Sequence, residues 1–233
     1  MRILSLDSSA TVASVALFED EKLLSEFTIN NGNTHSETLL PMVETVLKTY
    51  GITPSDVDAY AATTGPGSFT GVRIGAATVK GLAFGSNKPC IEVSTLEAIA
   101  ENLSARDGII CPVMNARRSQ VYTALFRAEN GKLSRLMEDC AISIEELDGI
   151  LSTYGETVSL AGDGYEITLE GLKLTKVLPT PERLRHQSAA SVAAVAYRKL
   201  SERNTVSDKE LKVTYLRPSQ AERTRMEKER ADQ

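Results

Sequence analysis

The sequence predicts a two-lobed α/β protein, and three observations carry that expectation. Apolar residues alternate in three short runs before residue 30. They then switch to helical spacing from residue 34, and a coarser version of the same order restarts at Gly108. At 233 residues the chain suits one large domain or two modest ones, on a soft prior of ~150 residues each.

The elements follow in order. Ile3, Leu4 and Leu6, then Val12 to Phe18, then Leu23, Leu24, Phe27 and Ile29 read as three antiparallel strands, separated by turns at Asp7 to Thr11 and Glu19 to Lys22. Thr34-His35-Ser36-Glu37 has capping-box spacing, and Leu39, Leu40, Val43, Val46 and Leu47 continue it as an amphipathic helix to Tyr50-Gly51. Asp58 to Thr64 reads as a strand, Thr70 to Phe84 as a helix of small residues, Cys90 to Val93 as a strand, and Ser94-x-x-Glu97 as the cap of another helix. The order is βββαβαβα. In the second half Ile109 to Met114, Val121 to Phe126 and Lys132 to Met137 read as strands, Ser143-x-x-Glu146 opens a helix, Thr157 to Ala161 is a strand, and Ser188 to Leu200 is an alanine-rich helix. The repeated order places lobes at 1–105 and 106–217, followed by a charged tail at 218–233 in which Met226 is the only large apolar residue.

Composition narrows the function. With 42% hydrophobic and 24% charged residues the chain reads as ordinary globular protein. Asp7 interrupts the apolar start after four residues, and no stretch approaches the ~20 apolar residues of a membrane span, so the expected location is the cytoplasm. A net charge of −5 gives no help to independent nucleic-acid binding, and a tRNA or DNA partner would need other subunits. Cys90, Cys111 and Cys140 lack metal or redox spacing, and Cys90 and Cys111 read as small apolar groups in buried strands. His35 and His186 are the only histidines, and neither has a second ligand at metal spacing; His35 reads as a capping or interface residue. Arg117-Arg118 and Arg183-x-Arg185-His186 are small basic clusters that read as solvated, since no aromatics interleave them.

Three strand-end turns carry the candidate chemistry: Asp7-Ser8-Ser9, the run Gly65-Pro66-Gly67 before a helix, and Gly162-Asp163-Gly164. Such turns expose backbone N–H groups that suit a phosphate. However, Gly-x4-Gly-Lys-Ser/Thr is absent, and Gly65-x-Gly67-x-x-Thr70 misses the third glycine of a dinucleotide fingerprint. Gly-Pro-Gly also makes a type II turn, with Pro66 setting φ and Gly67 taking the positive φ. In the helix that follows, Gly71, Gly75 and Gly81 each give up ~1 kcal/mol relative to alanine. Gly71 and Gly75 share one face, which permits close approach either within the domain or to a second subunit. On the second reading the interface comprises Thr70, Gly71, Arg73, Ile74, Gly75 and Thr78, and Gly75→Leu blocks association while the monomer stays folded.

These motifs resemble one family. Ile3-Leu4-Ser5-Leu6-Asp7-Ser8-Ser9, His35-Ser36-Glu37-x-Leu39-Leu40-Pro41, Thr64-Gly65-Pro66-Gly67-Ser68-Phe69-Thr70-Gly71-Val72-Arg73-Ile74-Gly75 and Asn115-Ala116-Arg117-Arg118 are similar to the bacterial TsaB (YeaZ) family. The likeness is close over residues 1 to about 130 and looser beyond, through Gly162-Asp163-Gly164. It implies an actin-like, sugar-kinase-like fold of two ribonuclease-H-like lobes. It also implies a non-catalytic partner of the related subunit TsaD, acting with the ATPase TsaE in transfer of threonylcarbamoyl from its AMP adduct to N6 of adenosine 37 of tRNA. Where the resemblance implies that TsaD has a metal-holding His-x3-His after its fifth strand, this chain has Thr95 and Ile99. The implied site lists are therefore no catalytic residue, no metal and no cofactor, with ATP or ADP at the lobe junction or subunit interface left open. Asp7, Ser8, Ser9, His35, Gly65, Gly67, Gly162 and Gly164 are then nucleotide-proximal or interface positions. The implied partners are TsaD, TsaE and a second copy when TsaD is absent, with tRNA met only through the complex and no membrane. The rivals are a sugar or acyl kinase or a glycopeptidase-like enzyme of the same fold, and a self-associating module.

Overall fold

A computed structural model describes residues 1–32 and 34–217; the predicted charged tail lies outside the described residues. The strands are β1 (Arg2–Asp7), β2 (Ala13–Glu19), β3 (Lys22–Ile29), β4 (Ala59–Thr63), β5 (Cys90–Val93), β6 (Gly108–Asn115), β7 (Gln120–Glu129), β8 (Lys132–Ser143), β9 (Val158–Ala161) and β10 (Val177–Leu178). The helices are α1 (His35–Thr49), α2 (Phe69–Ser86), α3 (Thr95–Glu101), α4 (Ile144–Ser152), α5 (Tyr165–Gly171) and α6 (Ala189–Ser201). Two five-stranded sheets run β3-β2-β1-β4-β5 and β10-β9-β6-β7-β8. In each, two hairpins place three strands antiparallel, and helical crossovers add the remaining two in parallel. This repeated order is the two-lobed, ribonuclease-H-like, actin-like fold.

The expected order βββαβαβα holds throughout the first half. β8 runs six residues past its expected end at Met137, to Ser143, while α5 and β10 were not anticipated. Ser94 and Ser143 cap α3 and α4 as their spacing implies, each hydroxyl accepting from the N–H three residues on. Thr34 does not form a capping box: its side chain makes no cap bond, and the Glu37 N–H goes to the Thr34 carbonyl instead. Asp148 fixes the loop before β10 by accepting from the N–H groups of Lys173, Leu174 and Thr175 at 2.7–3.0 Å. Burial alone would raise its pKa, but these bonds outweigh burial and hold the carboxyl below its usual value.

The lobes exchange a helix, which corrects the boundaries read from the sequence. The sheets do divide near residue 105, yet α6 does not cover its own sheet. Its alanine-rich face packs on the small and branched residues Ile3, Ala59, Ala61 and Val93 of the first sheet. The Ser5 hydroxyl donates to the Ala189 carbonyl at 2.7 Å, and the Ala189 N–H donates to the Ser14 hydroxyl at 3.0 Å. Conversely α3 lays Leu96, Ile99 and Ala100 on Ile110, Ala124 and Phe126 of the second sheet. Arg198 clasps Glu101 with two bonds where the helices meet. After α6 the chain returns to the first lobe: Val206 pairs with Cys90 at the edge of β5, and Leu211 enters the core beneath α1 and α2. Residues 189–201 and 206–215 thus pack on the first sheet and not within a second lobe spanning 106–217.

Cys90 and Cys111 are fully buried as expected, and burial pushes their thiols up to about 11 and about 12.

Candidate functional site

The turn between β1 and β2 is held from three sides. Asp7 is fully buried, and its Oδ1 accepts from both the N–H of Ser9 at 2.8 Å and the Ser9 hydroxyl at 2.6 Å. Among the described residues its Oδ2 makes no hydrogen bond of good geometry, and the Thr63 hydroxyl only weakly favours its charge. Burial therefore dominates and raises the carboxyl pKa, with the bonds from Ser9 opposing it. His35, at the first turn of α1, braces the turn from behind: its Nε2 donates to the Ala10 carbonyl at 2.6 Å.

The third side is the loop and first turn of α2. The Ser68 N–H donates to the Ser9 carbonyl at 2.6 Å, and the Ser8 hydroxyl donates to the Gly71 carbonyl at 2.9 Å. A Cβ on Gly71 would lie 2.0 Å from the Ser8 carbonyl oxygen, one on Gly67 2.5 Å from that of Ser9, and one on Gly75 2.7 Å from the Ser8 hydroxyl. The close approach that the glycine spacing implies therefore occurs inside the lobe. Gly71 and Gly75 are buried against Ser8, so a side chain placed on Gly75, as in Gly75→Leu, would strike Ser8 inside the lobe. The type II reading of the preceding turn is also corrected: Gly65 carries the positive φ, at +121°, Gly67 does not, and the Gly65–Pro66 bond is cis.

The outward face of α2 is a separate surface. Thr70, Arg73, Ala77, Gly81, Phe84 and Gly85 are exposed, while Ile74 and Thr78 are half-buried, Ile74 packing against the core. Phe84 is 72% exposed, and no atom lies within 4 Å of where a Cβ would stand on Gly81 or Gly85. Phe84 and Gly85 were not singled out in the sequence, and only their position on this face distinguishes them.

Between the lobes lies a cleft of about 540 Å³. Ser9, Gly67, Thr70, Asn115, Arg117 and Asp163 contribute to its walls, so the turns predicted from sequence do converge here. Asp7 does not line it. Gly162 and Gly164 are spent on close contact with Val113 and Met114, which holds the turn after β9 against β6. Asp163 accepts from the Asn115 N–H at 3.2 Å, and desolvation raises its pKa. Arg185 is not solvated: its guanidinium sits 3.7 Å over the Tyr165 ring and bonds Glu166. Nothing in the sequence signalled the residues that close one side of the cleft. Tyr215 stacks on Phe69 with ring centres 4.2 Å apart, and Arg217 donates to the Ala116 carbonyl at 3.0 Å.

Thr95 and Ile99, at the positions corresponding to the implied metal pair, are buried in α3. Among the described residues no group of three or more His, Cys, Asp or Glu is arranged to hold a metal ion. No helix of the described residues is long and apolar enough to cross a membrane.

Comparison with known proteins points one way. Residues 22–223 match the family model described as TsaD: tRNA N6-adenosine threonylcarbamoyltransferase. The chain is 32% identical over 180 residues to the tRNA threonylcarbamoyladenosine biosynthesis protein TsaB of Bacillus subtilis (strain 168), covering 77% of this chain and 78% of that one. It is 30% identical over 221 residues to the protein of the same name from Escherichia coli (strain K12), covering 93% and 95%. The solved structure of YeaZ from Pseudomonas aeruginosa superposes with a TM-score of 0.79 at 26% identity, over 92% of this chain and 99% of that one.

Proposed function

The chain belongs to the TsaB (YeaZ) family of tRNA threonylcarbamoyladenosine biosynthesis proteins, and we propose that within that pathway it supplies a docking surface and no chemistry. Its role is in forming N6-threonylcarbamoyladenosine in tRNA. On this reading it acts in the cytoplasm, pairs with TsaD through the outward face of α2, and works with TsaE. It meets tRNA through the complex and needs no cofactor of its own. A second copy takes the same surface when TsaD is absent, so homodimer and heterodimer exclude one another.

One observation carries the non-catalytic reading. A kinase of this fold would turn the β1–β2 loop toward a phosphate, with its N–H groups and carboxylate free to meet the ligand and its cation. Here the Ser9 N–H is consumed by Asp7, Asp7 is sealed from the cleft, and the backbones of Gly67 and Gly71 press on Ser8 and Ser9. Ser8 and Ser9 are thus buried under α2 even though Ser9 borders the cleft, and this favours the docking reading over the rival kinase reading.

The test is Asp7→Asn. Because the folded carboxyl has a raised pKa, the native state holds its proton longer than the unfolded chain does. Wild-type stability therefore falls as pH rises from the unfolded value of ~3.9 through the folded one. Asparagine keeps the Oδ1 acceptor and removes that loss. The variant should be more stable than wild type in urea at pH 7, with the gap closing toward pH 4. It should support threonylcarbamoyladenosine formation with TsaD and TsaE at the wild-type rate. Loss of that activity in a folded, TsaD-binding variant would make Asp7 a catalytic carboxylate and overturn the reading.

A further inference from the structure

The chain's own C-terminal segment lies on the end of α2 that faces the cleft. Its root is fixed: Leu211 is only 2% exposed, the Lys212 N–H meets Glu92, and the Thr214 N–H donates to the Thr64 carbonyl at 2.8 Å. The Thr214 carbonyl lies where a Cβ on Gly65 would stand, 2.3 Å away, so the segment crosses tightly over the Gly65 turn. Tyr215 is held differently. Tyr215 remains 40% exposed and is held by a stack on Phe69 and by the Arg73 Nε, which donates to its hydroxyl. The Arg73 guanidinium also lies 3.9 Å from the centre of the Phe69 ring. Beyond Tyr215, Arg217 reaches the second lobe at Ala116 and lies 6.0 Å from the Tyr122 ring.

Leu211 is held in the core whereas Tyr215 and Arg217 are held by partly exposed side-chain contacts, so these outer contacts can open without unfolding the core. What Tyr215 holds matters, because Arg73 is the only charged residue in the first two turns of α2, on the face assigned above to the partner. We propose that Tyr215 is an autoinhibitory latch: it engages Phe69 and Arg73 in the free protein and must leave them before TsaD can bind the N-terminal end of α2. This rests on the reading of α2 as the TsaD-binding surface. An aromatic stack with a hydrogen bond from a guanidinium is strong enough to keep the open form a minority, and apparent affinity falls by the fraction that is open.

The experiment is calorimetric titration of the cognate TsaD into wild type, Tyr215→Ala and Tyr215→Phe. Tyr215→Ala should bind about tenfold more tightly and melt roughly 3–6 °C lower while still folding cooperatively, because a latch closed about ten to one also stabilises the free native state by that factor. Tyr215→Phe keeps the stack and loses the bond to Arg73, and should gain about threefold. Hydrogen exchange at residues 66–73 should quicken in Tyr215→Ala by a similar factor. Equal or weaker binding by Tyr215→Ala, with wild type still binding TsaD, would overturn the latch and leave the partner reading in place. No binding by any of the three forms would remove the partner reading, and the latch with it.

Discussion

A single methyl group at residue 71 is expected to destabilise the protein more than any surface change on the same helix. The Cβ of Gly71→Ala would stand 2.0 Å from the Ser8 carbonyl oxygen, a contact between backbones that no side-chain rotation relieves. Either α2 or the β1–β2 turn has to move, and both are locked by the bonds from Ser68 to Ser9 and from Ser8 to Gly71. Overpacking of this kind costs about 3 kcal/mol or more. In a chain of this size that lowers the melting temperature by roughly 6–12 °C. Gly81→Ala, on the exposed side of the same helix, is the internal control. Its Cβ meets nothing within 4 Å, so the change recovers about 1 kcal/mol of helix propensity and should raise the melting temperature. Equal effects at the two positions, measured by calorimetry, would show that the inward face of α2 is not packed as described.

If α2 is the proposed docking surface, Phe84→Asp should leave the monomer folded and remove most of the association with TsaD. The ring is 72% exposed, so its replacement costs the isolated chain little. An exposed aromatic flanked by Gly81 and Gly85, whose missing side chains let a second backbone come close, fits the centre of a helix-packed interface. Losing such an anchor costs 2 kcal/mol or more, roughly a 30-fold weakening, and a carboxylate in its place adds a desolvation cost. Sedimentation of mixtures with TsaD reads this directly. Undiminished association would place the docking surface on another face of the protein.

The two glycine-rich stretches show where a sequence stops being legible. Changes of period revealed every strand and helix of the first lobe, because each buries one face and the spacing of its apolar residues records which. The capping serines Ser94 and Ser143 were equally readable, since a cap is a bond across three residues. Gly71 and Gly75 also announced a close approach. A glycine stripe, however, does not say which side the neighbour comes from, and the neighbour is Ser8, more than sixty residues earlier. The exchange of α3 and α6 between lobes was hidden for the same reason, because an alanine-rich face fits small residues on either sheet. α5 is a seven-residue helix containing Ile167 and Thr168, too short and too β-branched for its period to show. Of the site, Ser9 and Gly67, read from the sequence as interface or nucleotide-proximal positions, line the cleft, and so does Thr70, which the sequence reading assigned to a subunit interface. Tyr215 was not legible, because its stack on Phe69 joins residues 146 apart in sequence and leaves no local pattern.

The central claim, that this chain contributes a surface and not a reaction centre, is tested most directly by the initial rate of threonylcarbamoyladenosine formation in a purified reaction. Increasing amounts of the chain would be added to fixed TsaD, TsaE, threonylcarbamoyl-AMP, ATP and tRNA. The rate should rise and saturate at one chain per TsaD, and should be zero at every concentration when TsaD is omitted. Modified tRNA formed by the chain without TsaD, or a rate that keeps climbing in proportion to the chain beyond one equivalent, would contradict it.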